Sequence, residues 1–108
     1  MGISDDIIKK IIRRIMKVSK PDRIILFGSA ANGRMTPDSD IDLLIVKKRA
    51  NDPRGDSVKI RRGIGSLGYP FDVVVMSKDR FEQTKNYVGG LAYPANKYGK
   101  VLYAHSGK

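Results

Sequence analysis

Two aspartates, Asp40 and Asp42, stand on alternate positions at the mouth of the apolar run "DIDLLIV". Residues two apart on a strand project from the same face, which sets these carboxylates side by side. Like charges a few ångströms apart repel by roughly 4 kcal/mol at an effective dielectric of about 20. A divalent cation between them removes that cost, and ligation by carboxylate oxygens suits magnesium, which keeps waters and shares substrate phosphates. A third acid, Asp72, interrupts Phe71 and Val73–Val75 in "PFDVVVMS", a segment whose pattern predicts burial, where an unpaired charge is costly. Three converging carboxylates could hold two magnesium ions, one activating an attacking oxygen and one gripping a triphosphate. Each acid taken singly reads as an ordinary solvent-facing strand end. The set is harder to dismiss.

A second feature precedes them. In "DRIILFGS" a strand-like run ends in Gly28-Ser29. Gly28 allows backbone to approach a phosphate closely, and Ser29 offers an N–H and a hydroxyl donor. As an isolated dipeptide this is a plain turn.

The elements that must position these residues follow from periodicity. "SDDIIKKIIRRIMKVSKP" opens on Ser4 as N-cap with acids in its first turn. Its apolar stripe runs through Ile7, Ile8, Ile11, Ile12 and Ile15 with Met16 completing it, and Pro21 ends the helix. The Lys/Arg face of this helix could be read as membrane-binding or nucleic-acid-binding, but a core-packed helix with a solvated basic face is the better reading. "DRIILF", "DIDLLIVKK" and "PFDVVVMS" read as strands. Between the second and third lies "DPRGDSVKIRRGIGSLG", a weaker helix started by Asp52-Pro53 and ended by glycines. That connection is long enough to be a crossover, making the two strands parallel neighbours and bringing Asp42 and Asp72 to one end of the sheet. Ser77 or Asp79 caps a helix through "KDRFEQTKNYV". The tail after Gly89 alternates irregularly, and Pro94 breaks any long helix. The expected fold is α/β, a small mixed sheet with helices packed on it, as one domain over residues 1–108.

Composition narrows the chemistry. The chain of 108 residues has no cysteine and one histidine, which removes disulfides, thiolate chemistry and Cys-type zinc sites, and argues against a Ser-His-Asp triad. No apolar run is membrane-length and no signal-peptide pattern opens the chain, so the expected compartment is cytoplasmic, with no membrane partner. The net charge of +10 points to polyanionic partners such as nucleotides or nucleic acid. Acids are scarce, and four of them (Asp38, Asp40, Asp42 and Asp72) lie in or beside two strand-like runs. Two motifs mislead. "GSAANGRM" has P-loop glycine spacing, but Arg34 and Met35 replace its Lys and hydroxyl, and Pro37 follows at once. "GIGSLG" matches G-x-G-x-x-G by letter, yet it follows helical residues and precedes a strand, the reverse of a dinucleotide-binding context.

Gly28-Ser29, ten residues, then Asp40-Ile41-Asp42 resembles the signature of the DNA polymerase beta-like nucleotidyltransferase superfamily. Gly33, "PDSD", Asp72 in "FDVVV" and the closing "YGKVLY" resemble its small single-domain branch, the minimal nucleotidyltransferases (MNT). The resemblance implies transfer of a nucleoside monophosphate from an NTP, with ATP the expected donor, and release of pyrophosphate. On this reading Gly28 and Ser29 hold the β- and γ-phosphates. Asp40 and Asp42 bind both magnesium ions, and Asp72 binds the catalytic one and helps deprotonate the acceptor hydroxyl. Arg34 would assist with phosphate, or is a plain solvated arginine.

Many minimal nucleotidyltransferases look like antitoxins paired with an all-helical HEPN-type toxin, whose tyrosine becomes adenylylated. The short chain, with no second domain for a large acceptor, favours that reading: a protein adenylyltransferase acting on a partner toxin. The alternatives are an RNA- or small-molecule-directed nucleotidyltransferase and a catalytically silent antitoxin acting by binding. Pairing of the chain with itself stays open.

Overall fold

A computed structural model describes residues 3–31, 33, 36 and 38–105. Among them, four strands form one mixed sheet in the order β3-β2-β1-β4, flanked by helices on both faces.

Helix α1, Asp5–Val18, starts where Ser4 accepts a hydrogen bond from the Ile7 N–H at 3.3 Å, with Asp5 and Asp6 in the first turn. The acids favour the positive end of the helix dipole. Ile11 and Ile15 of the stripe are fully buried. Met16 does not complete it: at 39% exposure it lies on the solvent side, because one residue past Ile15 turns about 100° away from the sheet.

Strand β1 (Arg23–Phe27) pairs antiparallel with β2 (Ile41–Lys47), with Phe27 opposite Asp42. Helix α2 (Pro53–Ile64) then crosses over to β3 (Phe71–Ser77), which runs parallel to β2. Asp52 caps α2 by accepting from the Gly55 N–H, Pro53 occupies its first turn, and Gly65 at φ 67° ends it. The G-x-G-x-x-G letters are therefore a helix end and turn. Leu43 to Val46 of β2 are all buried, as expected for a central strand covered on both faces. Ile24, Leu26, Leu43 and Ile45 pack under α1 and α2, and Ile25, Leu44, Val46 and Met76 pack against the other side. Each such side chain contributes about 1.5–3 kcal/mol.

The C-terminal third differs from the periodicity. The helix after Ser77, α3, covers only Lys78–Thr84. The irregular tail holds helix α4 (Ala92–Tyr98) and strand β4 (Lys100–Ala104), the partner of β1. Pro94 sits in the first turn of α4, where a missing N–H costs nothing. Gly99 lets the chain turn tightly: a Cβ there would meet Ala95 O, Ile25 Cγ2 at 2.7 Å and Leu26 O at 3.0 Å. Among the described residues no helix is long and apolar enough to cross a membrane.

Candidate active site

The mixed sheet gathers the predicted residues at one end. Asp42 is the second residue of β2 and Asp72 the second of β3, and the parallel register sets them directly opposite. Strands so paired lie about 4.8 Å apart. Both carboxylates share the face that carries Leu44, Val46 and Met76, below the reach of α3 and α4. Ile41 N–H donates to Pro70 O at 2.8 Å, which fixes the two strand starts together. Asp40 precedes β2 rather than lying within it, and it is exposed.

The end of β1 meets this corner from the other side. Phe27 pairs with Asp42, so Gly28 follows beside the Asp42 carboxyl. Gly28 has φ 71° and opens a short 3-10 turn over Gly28–Ala30, closed by the Ala31 N–H on Gly28 O at 3.1 Å. A Cβ on Gly28 would collide with Asp42 Oδ2 and stand 3.3 Å from its Cγ. The glycine is thus required twice, by its backbone conformation and by the carboxylate in contact with it. Sequence reasoning assigned Gly28 to phosphate approach and missed this steric reason, which depends on strand register. Ser29 is half-buried in the turn. Arg34 lies outside the described residues.

Burial, then repulsion from Asp72 and from Asp40, raise the Asp42 pKa above its ordinary 3.8. Among the described residues no Lys, Arg or His forms an ion pair with any of the three aspartates. The penalty expected for Asp72 is absent, because β3 is an edge strand and Asp72 is exposed near its start. The electrostatic strain therefore centres on Asp42. Nor do the described residues include a group of three acids or histidines close enough to hold a metal as they stand. The donor set still fits a hard divalent cation: oxygen ligands only, mutually repelling, with the most enclosed one lacking a cationic partner.

Two grooves, of about 430 and 360 Å³, run along β3 and include Pro53, Val74 and Val75, but none of the aspartates.

A sequence profile described as a nucleotidyltransferase domain matches residues 6–92. No curated protein matches the sequence significantly. Solved structures share the fold. A toxin–antitoxin with AMP-PNP is 23% identical with TM-score 0.65, covering 92% of this chain and 74% of that one. A mutant of the toxin–antitoxin MntA-HpeT is 19% identical with TM-score 0.68, at the same coverage of 92% and 74%. A tri-AMPylated Shewanella oneidensis HEPN toxin in complex with MNT antitoxin is 20% identical with TM-score 0.60, covering 95% of this chain and 74% of that one. With the profile spanning Gly28, Ser29 and all three aspartates, this chain belongs to the nucleotidyltransferase domain family.

Proposed function

We propose that the chain is a magnesium-dependent adenylyltransferase moving AMP from ATP to a tyrosine hydroxyl of a HEPN-type toxin, and so acts as its antitoxin. The observation that carries the transferase reading is the corner itself: Asp42 and Asp72 in parallel register, with Gly28 pressed against the Asp42 carboxyl. The toxin acceptor is supported by fold neighbours that include an AMPylated HEPN toxin with its MNT antitoxin.

The Gly28-Ser29 turn would hold the β- and γ-phosphates through backbone N–H groups and the Ser29 hydroxyl. Asp40, Asp42 and Asp72 would hold magnesium, which supplies neutralisation of the triphosphate charge. The tyrosine oxygen then attacks the α-phosphorus, the bond to the β-phosphate oxygen breaks, and pyrophosphate leaves. Asp72, exposed at the rim, takes up the phenolic proton. Catalysis on this scheme is positioning and charge compensation.

The test uses ATP labelled at the α-phosphate, incubated with the purified chain, magnesium and host lysate, beside Asp40→Asn and Asp42→Asn chains. The expected result is label on tyrosine in one discrete protein band, absent with either variant. Label in RNA would move the acceptor to RNA. No variant-sensitive label with any NTP would refute the enzyme and leave an antitoxin acting by binding.

A further inference from the structure

The +10 charge of the chain is not explained by the carboxylate corner. It concentrates on the opposite side of the sheet, where α1 and α2 pack side by side. Arg14 Nη1 donates to Ile64 O at 2.6 Å, and Gly63 lies against Val18, so close that a Cβ there would stand 3.0 Å from Val18 Cγ2. On the solvent side of that seam, Lys10, Arg13 and Lys17 of α1 are exposed, as are Lys59 and Arg62 of α2. Spacings of three and four residues keep each set on one helix face, and the α1 stripe is about 10 Å long.

One acid, Asp6, lies four residues before Lys10 on the same helix face, against five exposed cations. Asp5 and Asp6 sit in the first turn of α1, and Asp56 of α2 is paired to Lys47 at 3.1 Å. Among the described residues none of the five forms an ion pair. A face that serves solubility mixes both signs; this one carries five cations to one acid.

We infer that the α1–α2 face is a docking surface for the phosphate backbone of a single nucleic-acid strand. Firm binding to a lipid surface adds an inserted apolar helix face to charge attraction, and the apolar faces of α1 and α2 are committed to the core through Ile11, Ile15, Ile60 and Ile64. A protein partner gains most from large side chains seated at the centre of its interface, and the exposed apolar side chains of these helices, Met16 and Val58, are each less than two-fifths exposed. Phosphate contacts need only placed cations. Packed helix axes lie about 8–10 Å apart, a seam of the width of one strand rather than a duplex. The surface lies on the far side of the sheet from Asp42 and Asp72, so it tethers a strand without presenting it for transfer. The inference is independent of the transferase reading.

The test is fluorescence anisotropy of a labelled polyuridine strand of about 20 nucleotides, titrated with the full chain between about 50 and 200 mM salt. Four to five contacts predict log affinity falling with log salt at a slope of about −3. Arg13→Gln/Lys17→Gln/Lys59→Gln/Arg62→Gln should lose at least about tenfold in affinity and flatten that slope. A control of equal charge, Lys48→Gln/Arg49→Gln/Arg80→Gln/Lys100→Gln, should stay within about threefold of wild type. Deoxythymidine strands of the same length should bind equally, because phosphate contacts do not read the sugar. Independently of any variant, RNA should slow acetylation of Lys10, Lys17 and Lys59 in the wild-type chain and leave Lys48 and Lys100 unprotected. Asp42→Asn should bind as wild type does, which separates this surface from the fate of the transferase reading. Equal losses in the two quadruple variants, no wild-type binding at the lowest salt, or polyglutamate competing as well as RNA per charge would each overturn the inference.

Discussion

Gly28→Ala tests the corner most directly. Alanine at φ 71° adopts the left-handed region, which costs an L-residue about 1–2 kcal/mol. Its methyl would also strike Asp42 Oδ2 and crowd Cγ at 3.3 Å and Cβ at 3.6 Å. Relief by turning the Asp42 side chain off its rotamer adds about 0.5–1.5 kcal/mol. The sum is about 1.5–3.5 kcal/mol, a fall in Tm of roughly 6–28 °C for a domain of this size. A double-mutant cycle separates the two parts. In an Asp42→Ala background the carboxyl is gone, so Gly28→Ala should cost only its backbone part. The coupling should then be about 1 kcal/mol, read from urea midpoints at constant m. Equal costs of Gly28→Ala in both backgrounds would refute contact between the glycine and the carboxylate. A total cost below about 0.5 kcal/mol would refute the left-handed turn as well.

Asp42 also sets a pH signature. Its folded-state pKa is raised above 3.8, so the folded chain binds that proton more tightly than the unfolded chain. Its contribution to stability therefore falls as pH climbs from 3.8 through the raised value, and is flat above it. Asp42→Asn should remove this falling limb and leave the metal-free chain at least as stable at neutral pH, by thermal melts across a pH series; a steeper limb in the variant contradicts the assignment. Ser57 Oγ donates to Val73 O at 2.6 Å, covering a carbonyl of the edge strand, so Ser57→Ala should cost about 1 kcal/mol by urea unfolding. No change there would mean that water replaces the bond fully. Gly99→Ala forces a methyl between Ala95 O and Ile25 Cγ2 and should cost about 3 kcal/mol or more, with β4 showing the earliest amide exchange. Uniform exchange would show that the turn is not what anchors β4.

The parts legible in the sequence were those with local causes. Ser4, Asp52 and Ser77 each precede their helix and each accepts the expected backbone N–H. The β-branched runs gave β2 and β3, and the helical connection between them gave their parallel pairing. The tail was illegible for a physical reason. Helix α4 is seven residues long, too short to show a period, and it is held by packing of Ala92 and Ala95 on the sheet. Strand β4 has an exposed-exposed-intermediate-intermediate-exposed pattern, without the alternation that marks a half-buried strand. The expected burial of Asp72 failed similarly: strand order, not composition, decides that β3 is an edge.

The mixed topology is what the proposed chemistry needs. Had β3 returned antiparallel to β2 over the same seven residues, Asp72 would face Val46 rather than Asp42, about 13 Å further along the strand at 3.3 Å per residue. The parallel crossover puts both strand starts at one end, and the antiparallel β1 delivers its own end, with Gly28, to the same corner. Three segments far apart in sequence thus meet with two carboxylates in register and a glycine against one of them. The repulsion at Asp42 is the cost of that meeting, and the folded core is what holds it. A chain that keeps a repulsive pair beside a left-handed glycine gains nothing for its own stability from either. Both become intelligible once a cation and a phosphate are the intended occupants, and the activity of Asp42→Asn set against its stability is where that account stands or falls.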